Sequence, residues 1–446
     1  MAKEKLICGM KKRGGMPEKE KIRKSLKYSV IDGAFNSAKV GFGESFLSAF
    51  AVFLSATNLQ IGLIGSLPRS LGSMSQLLSN RMIHLFKSRK RLVLTGVFVE
   101  ALTFIPIMLS FFFGNIRVYH LIFFVCLYWI ANMIMVPAWS SWMGDLVNPD
   151  ERGSYFGRRN KIAGLTSFVC FLAAGYLLQE FAHGTKTQYT GFVVIFFLAM
   201  AFRLVSLLYL SKEYEPPYIT EKKAQFGFVE FVKQARYRNF GLFALYLSLM
   251  NFAVFMAAPY FIAYELNDLK LTYLAFTMLS ASQILVKNLS MPIWGKASDR
   301  FGTLRVLTLC GYLMPLVPLL WLFKTDIWYL VIIEMYSGFV WAGFELSSFN
   351  FIFDTTSPEK RSTCVAYYNV LNGVAIFAGA MVGGIIVKYN NIFWSKYLLV
   401  MLASGIMRLF ATLIFIPRIR EVRPVQHIPY WKLFFRVATV APTEGL

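Results

Sequence analysis

Ten ionisable residues stand inside the apolar runs of this 446-residue chain: Asp32, Lys39, Glu44, Arg69, Glu100, Arg203, Lys287, Glu334, Glu345 and Arg408. In an apolar setting each costs a few kcal/mol or more unless it is paired or hydrated. Asp32, Asn36 and Lys39 fall within about 60° of one another at helical spacing. Glu334, Gly338, Trp341 and Glu345 recur at intervals of four, three and four. That spacing puts both acids on one helical face, about 16 Å apart. Lys287 shares the depth of Glu345 and can pair with it. Glu44 and Arg69 lie equally far from a tight turn between two runs, so they are expected to meet across that hairpin. Glu100 and Arg203 both lie about 12–13 Å from one boundary and are expected to form a structural ion pair. Arg408 repeats Arg203 but finds Met314 where an acid is expected, so it is expected to snorkel to the nearer surface. The chemistry open to such groups is proton exchange. Burial raises a carboxyl pKa and a nearby cation lowers it, so an acid whose surroundings alternate can take up and release a proton. Static ion pairing and direct contact with a charged solute use the same residue types, and the sequence does not separate the three.

The elements that hold these residues are long and apolar. Residues of apolar type make up 56% of the chain. A helix needs about 20 such residues to cross ~30 Å of hydrocarbon. Twelve runs meet this length: roughly 29–55, 59–83, 92–113, 118–143, 161–180, 190–211, 239–264, 271–295, 304–323, 327–353, 363–387 and 396–417. The expectation is an all-α membrane protein of twelve transmembrane segments in a lipid bilayer. Its parts are a basic N-terminus (1–27), a six-helix half (28–211), a linker (212–238), a second six-helix half (239–417) and a tail (418–446). Trp139, Trp142 and Trp341 are candidates to line an internal cavity, while Trp328 and Trp394 suit the interfacial belt. Prolines within the runs, Pro68, Pro106, Pro137, Pro259, Pro292, Pro315 and Pro318, can bend helices that move.

A net charge of +22 would suggest nucleic acid in a soluble protein. Its placement gives a different reading. The N-terminus carries ten Lys and Arg, the even-numbered connections and tail 25, and the opposite connections six. That bias orients both termini to the cytoplasm of a plasma-membrane protein, and no nucleic-acid partner is expected. The basic N-terminus lacks the small-residue cleavage site of a signal peptide and is expected to be retained. The five cysteines show no paired spacing and the four histidines no cluster, so neither a disulfide framework, a metal site nor a cofactor is expected.

Asp145, Pro149, Asp150, Glu151, Arg152, Asn160 and Gly164 are repeated 209 positions later as Asp354, Pro358, Glu359, Lys360, Arg361, Asn369 and Gly373, with Lys for Glu at one place. Arg203 and Arg408 repeat at an offset of 205, late in each half. Two related halves can rock against each other around a site between them, which is how a transporter works.

Between segments eight and nine the chain reads Gly295-Lys296-Ala297-Ser298-Asp299-Arg300-Phe301-Gly302-Thr303-Leu304-Arg305. This resembles the signature loop of the major facilitator superfamily, and with the six-plus-six topology the resemblance covers about residues 28–417. It implies that Gly295, Asp299, Arg300, Gly302 and Arg305 form a cytoplasmic gate. Asp299 would approach Arg158 and Arg159 at the start of segment five when the inner side is shut. The repeated Asp145, Arg152, Asp354 and Arg361 belong to the same gate region. The resemblance also implies that segment one lines the central cavity, where Gly41 and Gly43 permit close packing, and that segments three and six are neighbours. The first half departs from the signature: Arg81 to Arg91 has no acid or glycine, and Leu85 stands opposite Asp299, so any latch there is differently made. Exporter-type patterns in segments four and five and the sugar-porter ending after segment six are also missing; the chain there reads Glu213-Tyr214-Glu215-Pro216-Pro217. The resemblance is to a sugar-transporter-like prokaryotic branch of the superfamily.

The expected function is secondary transport of a small organic solute by alternating access, with proton coupling open, by a monomer. A sugar-like or other polar solute is slightly favoured. The alternatives are a multidrug or metabolite exporter and a non-transporting sensor or scaffold derived from a transporter. Phosphate-binding loops and clustered catalytic groups are missing from the sequence, so an enzyme is not expected.

Overall fold

The computed structural model describes residues 17–148, 152–217, 228–235, 238–356, 358–422 and 429–438. Eight helical stretches among them are long and apolar enough to cross a membrane, and one, Arg89–Leu146, does so twice. It turns at Gly114, which sits at φ +52°, open to a residue without a Cβ. The three remaining crossings are segment one (Glu18–Phe42, then Glu44–Phe46 and Leu47–Phe53), segment two (Asn58–Ser75 to Ser79–Phe86) and segment eight (Tyr273–Phe301). They miss the apolar threshold because they carry Asp32, Lys39, Arg69, Lys287 and many Ser and Gly. Polar helices of this length survive in lipid only when the rest of the protein shields them. The packing supplies that shield. Segment one packs on segments five and six, segment two on four and eleven, and segment eight on five and ten.

The bilayer acts as solvent for the outer surface. Phe123, Leu208, Leu289, Phe323 and Ile332 are all more than half exposed. Helices in such a setting gain little from hydrophobic burial and approach each other through small residues. At Gly41 a Cβ would lie 2.6 Å from the Ser167 carbonyl, and at Gly43 2.7 Å from the Ala199 Cβ, so both glycines seat segment one on its neighbours. Helix geometry breaks at Gly43, and a 3-10 turn, Glu44–Phe46, follows. Ser45 Oγ donates to the Val40 carbonyl at 3.0 Å, covering an acceptor near the break. Two short helices, Phe228–Ala235 and Tyr430–Ala438, lie on the face that carries the basic connections, called the basic face below.

Candidate functional site

Six buried or half-buried charges form one chain through the first half. Arg159 reaches Asp32 Oδ2 at 3.5 Å, and Ser206 Oγ donates to Asp32 Oδ1 at 2.6 Å. Arg203 donates to Ser206 at 3.1 Å and to Glu100 Oε2 through Nε at 2.7 Å. Lys39 Nζ donates to Glu100 Oε1 at 2.8 Å and to the Tyr128 hydroxyl at 2.6 Å. Tyr128 passes the connection on, donating to Glu44 Oε2 at 2.6 Å, and Lys39 lies 3.5 Å from the same carboxylate. Asn132 completes the Glu100 shell at 2.8 Å. Three carboxylates balance three cations, Lys39, Arg159 and Arg203. In a medium of low dielectric that balance is what makes burial tolerable.

Several expectations change here. Asp32 and Lys39 are 3% and 1% exposed and turn into the first half instead of lining a cavity, because Glu100, Arg203 and Ser206 offer them partners there. Asn36 joins neither; its Oδ1 is buried with no partner among the described residues. Glu44 does not meet Arg69. The break at Gly43 leaves Glu44 on Tyr128 and Lys39, and Arg69 has no carboxylate within ion-pair distance among the described residues. Arg408 does not snorkel: it is 2% exposed, and its Nη1 donates to the Met314 carbonyl at 3.3 Å. Pro318 has no N–H to give that carbonyl in the helix, which leaves room for the guanidinium. Trp142 is no cavity wall; it is fully buried and donates to the Tyr214 carbonyl at 2.9 Å. Trp139 lies under the Arg159 guanidinium at 4.6 Å.

Arg69 takes the position between the halves. Its guanidinium lies 5.3 Å from the Trp129 ring of segment four and 5.4 Å from the Phe255 ring of segment seven. It is exposed, with rings of both halves beside it. Its one hydrogen bond among the described residues is long, 3.4 Å to the Gly65 carbonyl. In the second half Lys287 Nζ and Glu345 Oε1 pair at 2.8 Å, both partly exposed. Glu334 faces Trp321 and the buried Glu265, an acid that spacing did not single out because it lies in a π-turn, Tyr264–Asp268. Trp341 packs edge-on to Phe344 with centroids 6.0 Å apart.

The halves close on the side away from the basic face. There Gln188 Nε2 donates to the Tyr273 hydroxyl at 2.7 Å, and the Tyr397 hydroxyl to Asn58 at 3.1 Å. Phe46 and Phe171 meet Phe276, with centroids 6.2 and 6.5 Å away. A Cβ on Gly62 would collide with the Tyr260 hydroxyl, and one on Gly175 with Thr277. At the basic face the gate residues are apart. Asp299 and Arg158 are exposed and take part in no ion pair among the described residues, and Arg159 is on Asp32 instead. Gly144, Gly157 and Gly164 look onto open space. The Asp299 contact expected of a shut inner gate is therefore unmade in this conformation. Gly62→Leu should push the equilibrium towards opening on the side away from the basic face. Spin labels at Leu59 and Ile392, both exposed, would then report longer distances. An unchanged distance distribution would mean that this glycine does not govern closure.

The basic-face ends of the two halves repeat the same wiring. Arg89, fully buried, donates to Asp145 at 2.6 Å, as Thr303 donates to Asp354 at 2.9 Å. The Lys90 amide donates to Glu215 at 3.1 Å, as the Leu304 amide donates to Glu421 at 2.8 Å. With no acid in its own loop, Arg89 pairs inside the first half with one from the end of segment four and one from beyond segment six, Glu215 at 3.9 Å. Gly302, at φ +99°, begins segment nine. Gly295 faces Leu346 with room for a Cβ, and Arg300 and Arg305 lie on either side of Gly302 at this end of the second half. The side chains of Arg152 and Arg361, and residues Pro149, Asp150 and Glu151, lie outside the described residues.

Two bundles with matched wiring, closed at one end around internal charge, are the architecture of an alternating-access carrier. Residues 34–286 and 247–441 match the Major Facilitator Superfamily. The chain belongs to that superfamily. It is a secondary transporter of small solutes and not an enzyme. No curated protein matches it. Among solved structures, a mutant of the nucleoside transporter NupG is similar over 90% of this chain and 100% of that one, at 14% identity and TM-score 0.68. The inward-open xylose transporter XylE from E. coli covers 90% and 97%, at 10% identity and TM-score 0.68. An inward-facing bacterial homologue of the iron transporter ferroportin covers 90% and 99%, at 12% and 0.66.

Proposed function

We propose that this transporter takes up a small polar organic solute, sugar-like in its hydrogen-bonding groups, driven by protons. The basic face is the cytoplasmic face of the plasma membrane on this reading, which follows the bias of Lys and Arg towards that side. The present conformation is then open inwards. The observation that carries the solute site is Arg69, standing between a ring of each half with no carboxylate partner among the described residues. Its fork of donors suits hydroxyl, carbonyl or carboxylate oxygens, and flanking rings suit the flat apolar face of a sugar or nucleoside. Carriers of a nucleoside and of xylose share the fold. One chain supplies both walls of the site, so a monomer suffices. Proton coupling is supported by Arg159, which holds Asp32 here and which gate closure would draw towards Asp299. Asp32 would then lose a cation and gain reason to bind a proton.

The first experiment is a thermal-shift screen of the purified protein against sugars, nucleosides, peptides, organic acids and cationic drugs. A solute at 100 times its Kd adds about 2.7 kcal/mol to the folded state, enough to see. The solute found is then offered to proteoliposomes. An outside-acid gradient should drive accumulation, and Asp32→Asn should leave exchange across the membrane while abolishing accumulation. Flux indifferent to the gradient, with Asp32→Asn like wild type, would remove proton coupling. Hits confined to hydrophobic cations would point to an exporter.

A further inference from the structure

Glu213 is the most anomalous carboxyl in the first half. It lies just beyond segment six, which ends at Ser211, and is 1% exposed. Both of its carboxylate oxygens are buried with no hydrogen-bond partner among the described residues. Its backbone is fixed on every side. The Glu213 amide donates to the Leu210 carbonyl at 3.1 Å, and its own carbonyl accepts from Lys90 Nζ at 2.6 Å. The next residue, Tyr214, donates its amide to Ser25 at 2.7 Å and receives Trp142 on its carbonyl. These bonds fix the turn against segments one, three and four. Burial of a bare carboxylate is expensive, and a carboxyl so placed keeps its proton instead.

The titratable groups that act on it electrostatically come from three helices. Asp32 comes from segment one, Lys90 from segment three, and Arg159 and Tyr155 from segment five. Glu215 on the same connection is turned away, accepting from Ser88 at 2.6 Å and lying 3.9 Å from Arg89. Arg159 and Lys90 favour the charged form of Glu213, while Asp32 disfavours it. Asp32 itself is hydrogen-bonded by Arg159 and Ser206.

We propose that Glu213 is a proton-binding site at the basic-face end of the first half. In the present conformation Glu213 is neutral. The assignment does not depend on the proton-driven reading above. Two like charges in one apolar site cannot both ionise cheaply, and their titrations belong to the pair.

The electrostatics of the site agree. Burial pushes the Glu213 carboxyl up to about 9, with the Asp32 charge adding to it and Arg159 and Lys90 opposing. A raised carboxyl pKa stabilises the fold most fully below the unfolded value, and that contribution is lost as pH rises towards about 9. Thermal stability of wild type should therefore fall through that window, and Glu213→Gln should flatten the fall.

Infrared spectroscopy of the full-length protein in lipid nanodiscs tests the assignment without any solute. The carboxylic-acid C=O absorption at neutral pH should hold a component that disappears on titration near 9 and is missing from Glu213→Gln, as the wild-type-minus-variant difference spectrum reads it. Asp32→Asn should move its titration to lower pH and Lys90→Gln to higher pH. The Lys90 variant keeps the test open if the Asp32 variant fails to fold. A Glu213 that is ionised at neutral pH, with Glu213→Gln removing no acid band, would overturn the site. A band unmoved by both variants would overturn the electrostatic surroundings assigned to Glu213. Because no transport is measured, either failure is distinct from a failure of the uptake reading, which flux alone decides.

Discussion

Glu100→Ala should destabilise the protein more than any other single truncation of a charge within the helices. Glu100 is fully buried and answers two cations at once, Lys39 at 2.8 Å and Arg203 at 2.7 Å. Removing one member of a buried pair costs about 3–5 kcal/mol, mostly because the charge left behind has no solvent. Here two are left behind, and Lys39, 1% exposed, has only Tyr128 and the more distant Glu44 to fall back on among the described residues. Glu100→Gln should cost less, since the amide oxygen can still accept from Asn132 and Lys39. Glu100→Gln combined with Lys39→Met should recover part of the loss, because removing both members of a buried pair is often near neutral. The measurement is the midpoint of thermal unfolding for each variant, read as a double-mutant cycle. A Glu100→Ala protein within about 1 kcal/mol of wild type would mean that the buried charges are hydrated and the chain is not a dry network.

Arg69→Ala should do the reverse, sparing the fold and removing the solute. Arg69 has no ion pair among the described residues whose partner would be stranded, and its 3.4 Å contact with the Gly65 carbonyl is weak. Hydrogen bonds to a charged group are worth about 1.5–3 kcal/mol, so solute affinity should fall roughly 10- to 150-fold. Arg69→Lys should rescue little, because an ammonium has neither the planar fork nor the stacking surface between Trp129 and Phe255. Solute-induced thermal shift and the KM of uptake both read this directly. Wild-type affinity in Arg69→Ala would move the solute elsewhere, with the partly exposed Lys287 and Glu345 pair the next place to test.

The ion-pair chain and the proton site explain why charges survive in segments one, three, five and six. Asp32 alone would be costly in lipid, but it belongs to a set in which each charge faces an opposite. The same wiring ties the gate to the interior. Arg159 stacks on Trp139 and holds Asp32 in this conformation, so a movement of Arg159 changes the surroundings of a buried acid.

Much of this architecture is legible in the amino-acid sequence. The crossings follow from runs of about twenty apolar residues, since hydrocarbon admits no unpaired backbone. The two halves follow from repeated residues, and the structure carries the repeat down to single hydrogen bonds: Lys90 on Glu215 and Leu304 on Glu421. Matched depth in the bilayer also pairs Glu345 with Lys287 and Glu100 with Arg203, as the structure has them.

Residue type, spacing along a helix and depth in the bilayer are thus written in the sequence, because each depends on local geometry and on composition. Direction around the helix at a break is not. One 3-10 turn after Gly43 sends Glu44 to Tyr128 and leaves Arg69 to the rings of two different halves. Pro318 gives Arg408 a carbonyl to bind, and a single buried turn beyond segment six isolates Glu213. Which partner a charge finds depends on helices brought together from distant parts of the chain. Only the tertiary structure decides that, because electrostatic pairing acts over a few ångströms of space and not along the sequence.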